Sequence, residues 1–221
     1  MKRGASERVE AGAEAVKKAK DAEVLAVEIE AKWFVDAGFQ AKLGEVHAQL
    51  VQSRTIQRRS ILDVDPKSVP AGIQRWVRVR EEGKTTTLTL KNMSDGTTIT
   101  GVKEIETVVE SYDKTVAILE MVGVHKRAYQ ENARETWSLN GCQVTVDEWP
   151  GLQLFIEVEG PSERIVYDTA NMLGLKKENA RFGSIDLLYQ SMLGIDPKKF
   201  NQIPVLTFEN ADEVLGPLKR Q

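Results

Sequence analysis

From residue 24 onward, apolar and polar positions alternate with a period of two, as expected for β-strands whose successive side chains point to opposite faces. The alternation predicts strands over residues 24–34, 50–63, 73–81, 85–91, 101–111, 126–139, 143–149 and 152–159. Glu82-Gly83-Lys84, the stretch from Asn92 to Gly96, Asn140-Gly141 and Pro150-Gly151 supply turns between them. Asn-Gly and Pro-Gly are strong turn formers. Helical spacing interrupts the pattern at 38–50, where Phe39, Leu43, Val46 and Leu50 share a side, and at 113–122, with Asp113 as cap and Gly123 as stop. Two further helices are expected at 161–173, opened by Pro161 and Ser162, and at 184–193. The C-terminal stretch, with Pro204 and Pro217, reads as irregular or as a short added element. Few strand–helix–strand units appear, so the fold class is α+β with a mostly antiparallel sheet. About eight such strands can close into a barrel.

The alternation carries charge of one sign at a time. Glu28, Glu30 and Lys32 share a face, opposite Val27, Ile29 and Ala31. Arg78 and Arg80 share the next, and Thr87, Thr89 and Lys91 the one after. Glu104 pairs with Glu106, and Glu157 with Glu159, while Arg134 and Asp147 lie on the polar faces of their own strands. A solvated sheet also alternates, but its outer face usually mixes signs within a strand. If helices cover the apolar face, the charged face turns inward and lines a tunnel. Its acids are then Glu28, Glu30, Glu104, Glu106, Asp147, Glu157 and Glu159, and its bases Lys32, Arg78, Arg80, Lys91, Lys126 and Arg134. Charges that are nearly balanced yet enclosed call for water, metal or ligand between them.

Composition narrows the chemistry. The 221 residues carry 30 Lys and Arg against 33 Asp and Glu, a net charge of −3, so a surface that coats nucleic acid is not expected. The single Cys142 excludes an intrachain disulfide, a CxxC zinc site and an iron–sulfur cluster, and it suits a cytoplasmic setting. With only His47 and His125, any bound metal should be a hard cation on oxygen. No apolar run approaches a membrane span, and no apolar segment follows the basic N-terminus as in a signal peptide. Residues 1–22, rich in Ala, Lys and Glu, read as a polar helical extension, and 23–221 as one barrel domain with C-terminal helices.

Converging Arg and Lys suit phosphate oxygens. Clustered carboxylates suit Mg²⁺ or Mn²⁺, which shares its shell with substrate phosphate. Together they describe a polyphosphate held as its metal complex. Neither a P-loop nor a G-x-G-x-x-G motif is present. Arg58 and Arg59 reach phosphate only if their strand turns inward. Trp33, Trp76, Trp137 and Trp149 are expected to pack on the outside of the barrel, and Cys142 to be structural.

At these residues the sequence resembles the CYTH superfamily, the triphosphate tunnel metalloenzymes. The likeness starts at Glu28-Ile29-Glu30-Ala31-Lys32, an E-x-E-x-K strand, and continues through Arg78-Val79-Arg80, Leu88-Thr89-Leu90-Lys91 and Glu104-Ile105-Glu106. It closes with Arg134-Glu135-Thr136-Trp137, Val146-Asp147-Glu148 and Phe155-Ile156-Glu157-Val158-Glu159. The resemblance implies a closed eight-stranded antiparallel β-barrel with flanking helices around a hydrophilic tunnel. It implies Mg²⁺ or Mn²⁺ on Glu28, Glu30, Glu157 and Glu159, with Asp147 near the metal. Lys32, Arg78, Arg80, Lys91, Lys126 and Arg134 would hold the triphosphate, with Arg127 replacing Lys126 if the register slips by one. Lys32, Arg134, Asp147, Glu104 and Glu106 would serve the reaction, the last two by seating a second ion or positioning water. The second strand lacks the aromatic-rich pattern of cyclase-like members.

The expected function is divalent-metal-dependent hydrolysis of a triphosphate such as tripolyphosphate, ATP or thiamine triphosphate. One alternative is a class IV adenylyl cyclase that makes cyclic AMP and pyrophosphate. Another is a polyphosphate-binding module without chemistry, disfavoured because a receptor for an anion gains nothing from so many carboxylates. A homodimer is compatible with the resemblance; nucleic-acid and membrane partners are not expected.

Overall fold

The computed structural model describes residues 25–219; the expected extension at 1–22 lies outside them. Ten strands form one sheet: β1 (Ala26–Glu28), β2 (Glu30–Phe34), β3 (Gln49–Asp63), β4 (Gln74–Glu82), β5 (Thr85–Met93), β6 (Val102–Val109), β7 (His125–Leu139), β8 (Cys142–Glu148), β9 (Phe155–Glu159) and β10 (Val205–Leu206). Nine of them follow the order β1-β6-β5-β4-β3-β7-β8-β9-β2, all antiparallel, while β10 adds to β7 in parallel.

β1 and β2 sit at opposite ends of this order, yet only Ile29 separates them in sequence. One stretch of chain therefore pairs with β6 through its first half and with β9 through its second, which brings the sheet round into a nearly closed barrel. This is why the expected eight staves appear as nine strands. At the joint, Glu30 N–H donates to Ile99 O, and Gly160 N–H to Ile29 O.

The apolar faces point outward and are covered. Ala31, Trp33, Val144, Val146, Ile156 and Val158 pack under Val166 and Ala170 of the helix Glu163–Met172. Leu62, Val77 and Val79 pack under Tyr112 and Val116 of the helix Tyr112–Met121. A third cluster joins Trp149 and Phe155 to Leu188 and Tyr189 of the helix Ile185–Leu193 and to Phe200, Leu206 and Leu215 beyond it. With the apolar side chains of the first two clusters on the outside, the alternate residues face the interior, which Trp149, Phe155 and Phe200 of the third cluster also line.

Local chemistry sets the boundaries. Asn140 (φ 52°) and Gly141 (φ 75°) make the tight β7–β8 turn, the left-handed pair that Asn-Gly favours. The helix expected over 38–50 is confined to Gln40–Glu45. His47 adopts φ 57°, which ends it, and β3 starts at Gln49 to pair with β7 over nearly its full length. Ser111, not Asp113, caps the helix Tyr112–Met121, its side chain accepting from Lys114 N–H. No helix among the described residues is long and apolar enough to cross a membrane.

Candidate active site

The barrel interior holds a cavity of about 790 Å³, within the roughly 300–1,000 Å³ usual for small-molecule sites. Its wall includes Glu28, Glu30, Lys32, Arg78, Arg80, Lys91, Glu104, Glu106, Arg134, Glu157 and Glu159. The structure thus brings together eleven of the thirteen side chains singled out in the sequence, from seven strands around the barrel.

The other two stand elsewhere. Lys126 is exposed, and its ammonium lies over the Tyr129 ring. The reason is a bulge: Ile61 pairs with Ala128 but Leu62 with Lys126, so the side-chain phase of β7 flips there. Arg127 lines the cavity instead. Asp147 points inward but is fully buried behind the wall. Its Oδ1 accepts from Arg134 Nε at 2.8 Å and Asn132 Nδ2 at 3.3 Å, and its Oδ2 from Thr145 Oγ1 at 2.5 Å. With both oxygens engaged, it holds Arg134 in place rather than facing the cavity.

The acids concentrate where β2 meets β9. Register sets Glu30 against Glu159 and Lys32 against Glu157, and oxygens of Glu30, Glu157 and Glu159 lie within 4.8 Å of one another. Lys32 bonds Glu30 and reaches Glu157 at 3.4 Å. Lys91 bonds Glu28 at 2.6 and 2.9 Å and reaches Glu104 at 3.1 Å. Arg134 Nη2 lies 3.4 Å from Glu157. Arg78 lies 3.2 Å from Glu106, which also accepts from Thr89 at 2.6 Å.

These surroundings move the titrations. Burial, then the Glu157 charge, pushes the Glu30 carboxyl up to about 7. Burial, then Glu157 and Glu30, does the same to Glu159. Burial also raises Glu28, against the pull of Lys91. Burial opposes ionisation of Glu157 too, but Lys32 and Arg134 outweigh it and hold that carboxyl well below the ordinary range. Burial, with Arg78 and Arg134 nearby, lowers Arg80 to about 10. Each wall thus holds more of its own sign than its partners neutralise, and a cation fits the Glu30–Glu157–Glu159 cluster.

A stability prediction follows. Glu30 and Glu159 bind protons more tightly folded than unfolded, so folding stability falls as pH rises from about 4.5 through about 7. The expected loss of the metal-free protein is on the order of a few kcal/mol, and Mg²⁺ or Mn²⁺ should reduce it at pH 8. Thermal unfolding at pH 5 and pH 8, with and without the ion, measures both. A stability that rises across this window contradicts the electrostatics of the cluster.

Sequence reasoning left Arg59 undecided and placed two tryptophans wrongly. Arg59 lines the cavity, whereas Arg58 points out to Glu81 and over Tyr112. Trp76 and Trp149 also line it, rather than packing outside the barrel. Trp149 and Phe155 also pack against Leu188 and Tyr189 of the helix Ile185–Leu193.

No protein-family model matches the sequence, and no curated protein matches it. Solved structures do match. A conserved hypothetical protein from Pyrococcus furiosus is 22% identical with a TM-score of 0.62, covering 73% of this chain and 99% of its own. A candidate adenylate cyclase from Vibrio parahaemolyticus is 13% identical at the same TM-score, covering 74% and 98%. Another candidate adenylate cyclase, from Bacillus halodurans, is 17% identical with a TM-score of 0.50, covering 73% and 95%. The chain shares their fold.

Proposed function

We propose that the chain is a CYTH-type enzyme that hydrolyses a triphosphate with the help of a divalent cation. One observation supports this above the others: three carboxylates gathered within 4.8 Å and a bank of arginines line the same cavity. Either group alone would suit a simple ion site. Together they suit a polyanion carried with its counter-ion.

In this reading Glu30, Glu157 and Glu159, with Glu28 beside them, hold Mg²⁺ or Mn²⁺. When bound there, the ion supplies charge neutralisation and polarises a phosphoryl oxygen. Arg78, Arg80, Arg134 and Lys91 grip the remaining phosphate oxygens, Arg in the bidentate manner that a planar guanidinium permits. Lys32, fixed between Glu30 and Glu157, orients the phosphoryl group nearest the carboxylates. Glu104 and Glu106 hold the attacking water by accepting hydrogen bonds from it. The water oxygen bonds to the terminal phosphorus, the bridging P–O bond breaks, and the released proton passes to solvent. Positioning and electrostatics carry such a transfer, so no nucleophilic Cys or His is needed.

The cyclase reading has support of its own. The cavity continues past the charged walls to Ile61, Trp76, Ile185 and Phe200, room and surface for an organic group, and two structures with this fold are described as candidate adenylate cyclases. Phosphorus NMR of tripolyphosphate, ATP and thiamine triphosphate incubated with the protein and Mg²⁺ or Mn²⁺ separates the readings. Orthophosphate release is the expected result. Pyrophosphate with cyclic AMP would select the cyclase, and no product would leave a binding module.

A further inference from the structure

Two cations are buried among the described residues, Lys32 and Arg59. Lys32 has two carboxylate partners; Arg59, 7% exposed, has no carboxylate of the described residues within 4.0 Å. Its recorded bonds both leave Nη2, to Gln57 Oε1 at 2.9 Å and to Asn132 Oδ1. Its Nε is buried without a partner, as is Nε of Arg78 on the adjoining strand. Register sets Arg59 opposite Arg80 on one side and Gln130 on the other. Burial, then Arg78, Arg80 and Arg134, drives its proton affinity well below the arginine range. An uncompensated buried cation among like charges is costly.

The surroundings hold the group still without neutralising it. The Trp149 ring lies 4.6 Å from the guanidinium carbon. Gln57 and Asn132 fix its plane, and Asn132 in turn donates to Asp147. Contacts run from the carboxylate cluster through Glu157, Arg134, Asp147 and Asn132 to Arg59 at the far end. A guanidinium has five N–H donors, and Arg59 lines the cavity with its Nε still unpaired.

We propose that Arg59 is a phosphoryl-binding residue that, with Arg78 and Arg80, takes the phosphate group of the substrate lying farthest from Glu30, Glu157 and Glu159. This deepens the triphosphate reading and rests on it. The anion supplies the missing charge and fills the unpaired N–H groups, so binding converts a costly arrangement into a satisfied one. A structural arginine would show the reverse pattern, supporting the unliganded fold and leaving affinity alone.

The test uses the whole protein with tripolyphosphate as probe. Calorimetric titration of wild type, Arg59→Met and Arg59→Lys is read beside unliganded thermal unfolding. Wild type should bind; Arg59→Met should bind about tenfold or more weakly, with Arg59→Lys between, and the unliganded Tm of Arg59→Met should equal or exceed that of wild type. As a readout independent of the variants' folding, the Arg59 Nε–H NMR signal of wild type should shift on addition of tripolyphosphate. Unchanged affinity in both variants, or an unmoved Nε–H signal while wild type binds, overturns the Arg59 assignment alone. No binding by wild type overturns the triphosphate reading and this proposal with it.

Discussion

Glu159→Gln should lower metal-dependent turnover of a triphosphate by about 10²–10³-fold in kcat/KM and at the same time make the unliganded protein more stable at pH 8. The two effects share one cause. Glu159 sits on β9 opposite Glu30, and its carboxyl is pushed up to about 7 by burial and by the charges of Glu157 and Glu30. At pH 8 the metal-free protein carries that repulsion. An amide of the same shape removes it but offers a cation a weaker ligand. At pH 5, where Glu159 is largely protonated, the stability gain should vanish. Steady-state kinetics over a range of Mg²⁺ and unfolding at the two pH values give the comparison. Stability lost at both pH values would make Glu159 a structural partner, and unchanged kcat/KM would remove it from the site.

That cluster was legible in the sequence because alternation is a strict rule. Over Val27–Lys32 and Ile156–Glu159 apolar and charged residues alternate one for one, so the phase is unambiguous, and the outer positions Ala31, Trp33, Ile156 and Val158 are the ones buried under a helix. Phase was lost where the pattern offers two readings. In β3 both Ile61 and Leu62 are apolar, so Arg58 and Arg59 each had a claim on the interior. Packing of Leu62 under Tyr112, and the Ser60 hydroxyl 2.6 Å from the Tyr112 hydroxyl, settle it for Arg59. In β7 the bulge near Arg127 reverses the phase, and no single-strand pattern reveals an extra residue. Depth is invisible to alternation as well. Asp147 and Arg134 were both assigned to the inner face, but only the three-dimensional packing shows one standing behind the other. The joint at Ile29 also escapes a strand-by-strand reading, since it depends on which partners the two halves find.

Asp147→Asn should destabilise the protein by about 3–5 kcal/mol, the usual result of leaving one half of a buried ion pair behind. The carboxylate is fully buried, and three donors converge on it: Arg134, Asn132 and Thr145. An Asn side chain must turn an NH₂ toward at least one of them, opposing donor to donor. For a chain of this size the Tm should drop by roughly 10 °C. The partner suffers differently. Arg134 keeps only Glu157, at 3.4 Å, so its guanidinium is no longer aimed and substrate affinity should fall along with stability. Arg134→Met combined with Asp147→Asn separates the two contributions. Removing the stranded cation should restore part of the lost Tm, since a neutral pair costs less than an orphaned buried charge, while triphosphate binding stays weak. The double-mutant coupling energy reads this directly. A Tm for Asp147→Asn within about a degree of wild type would show that the pair does not anchor the wall, and Arg134 would then owe its direction to Glu157.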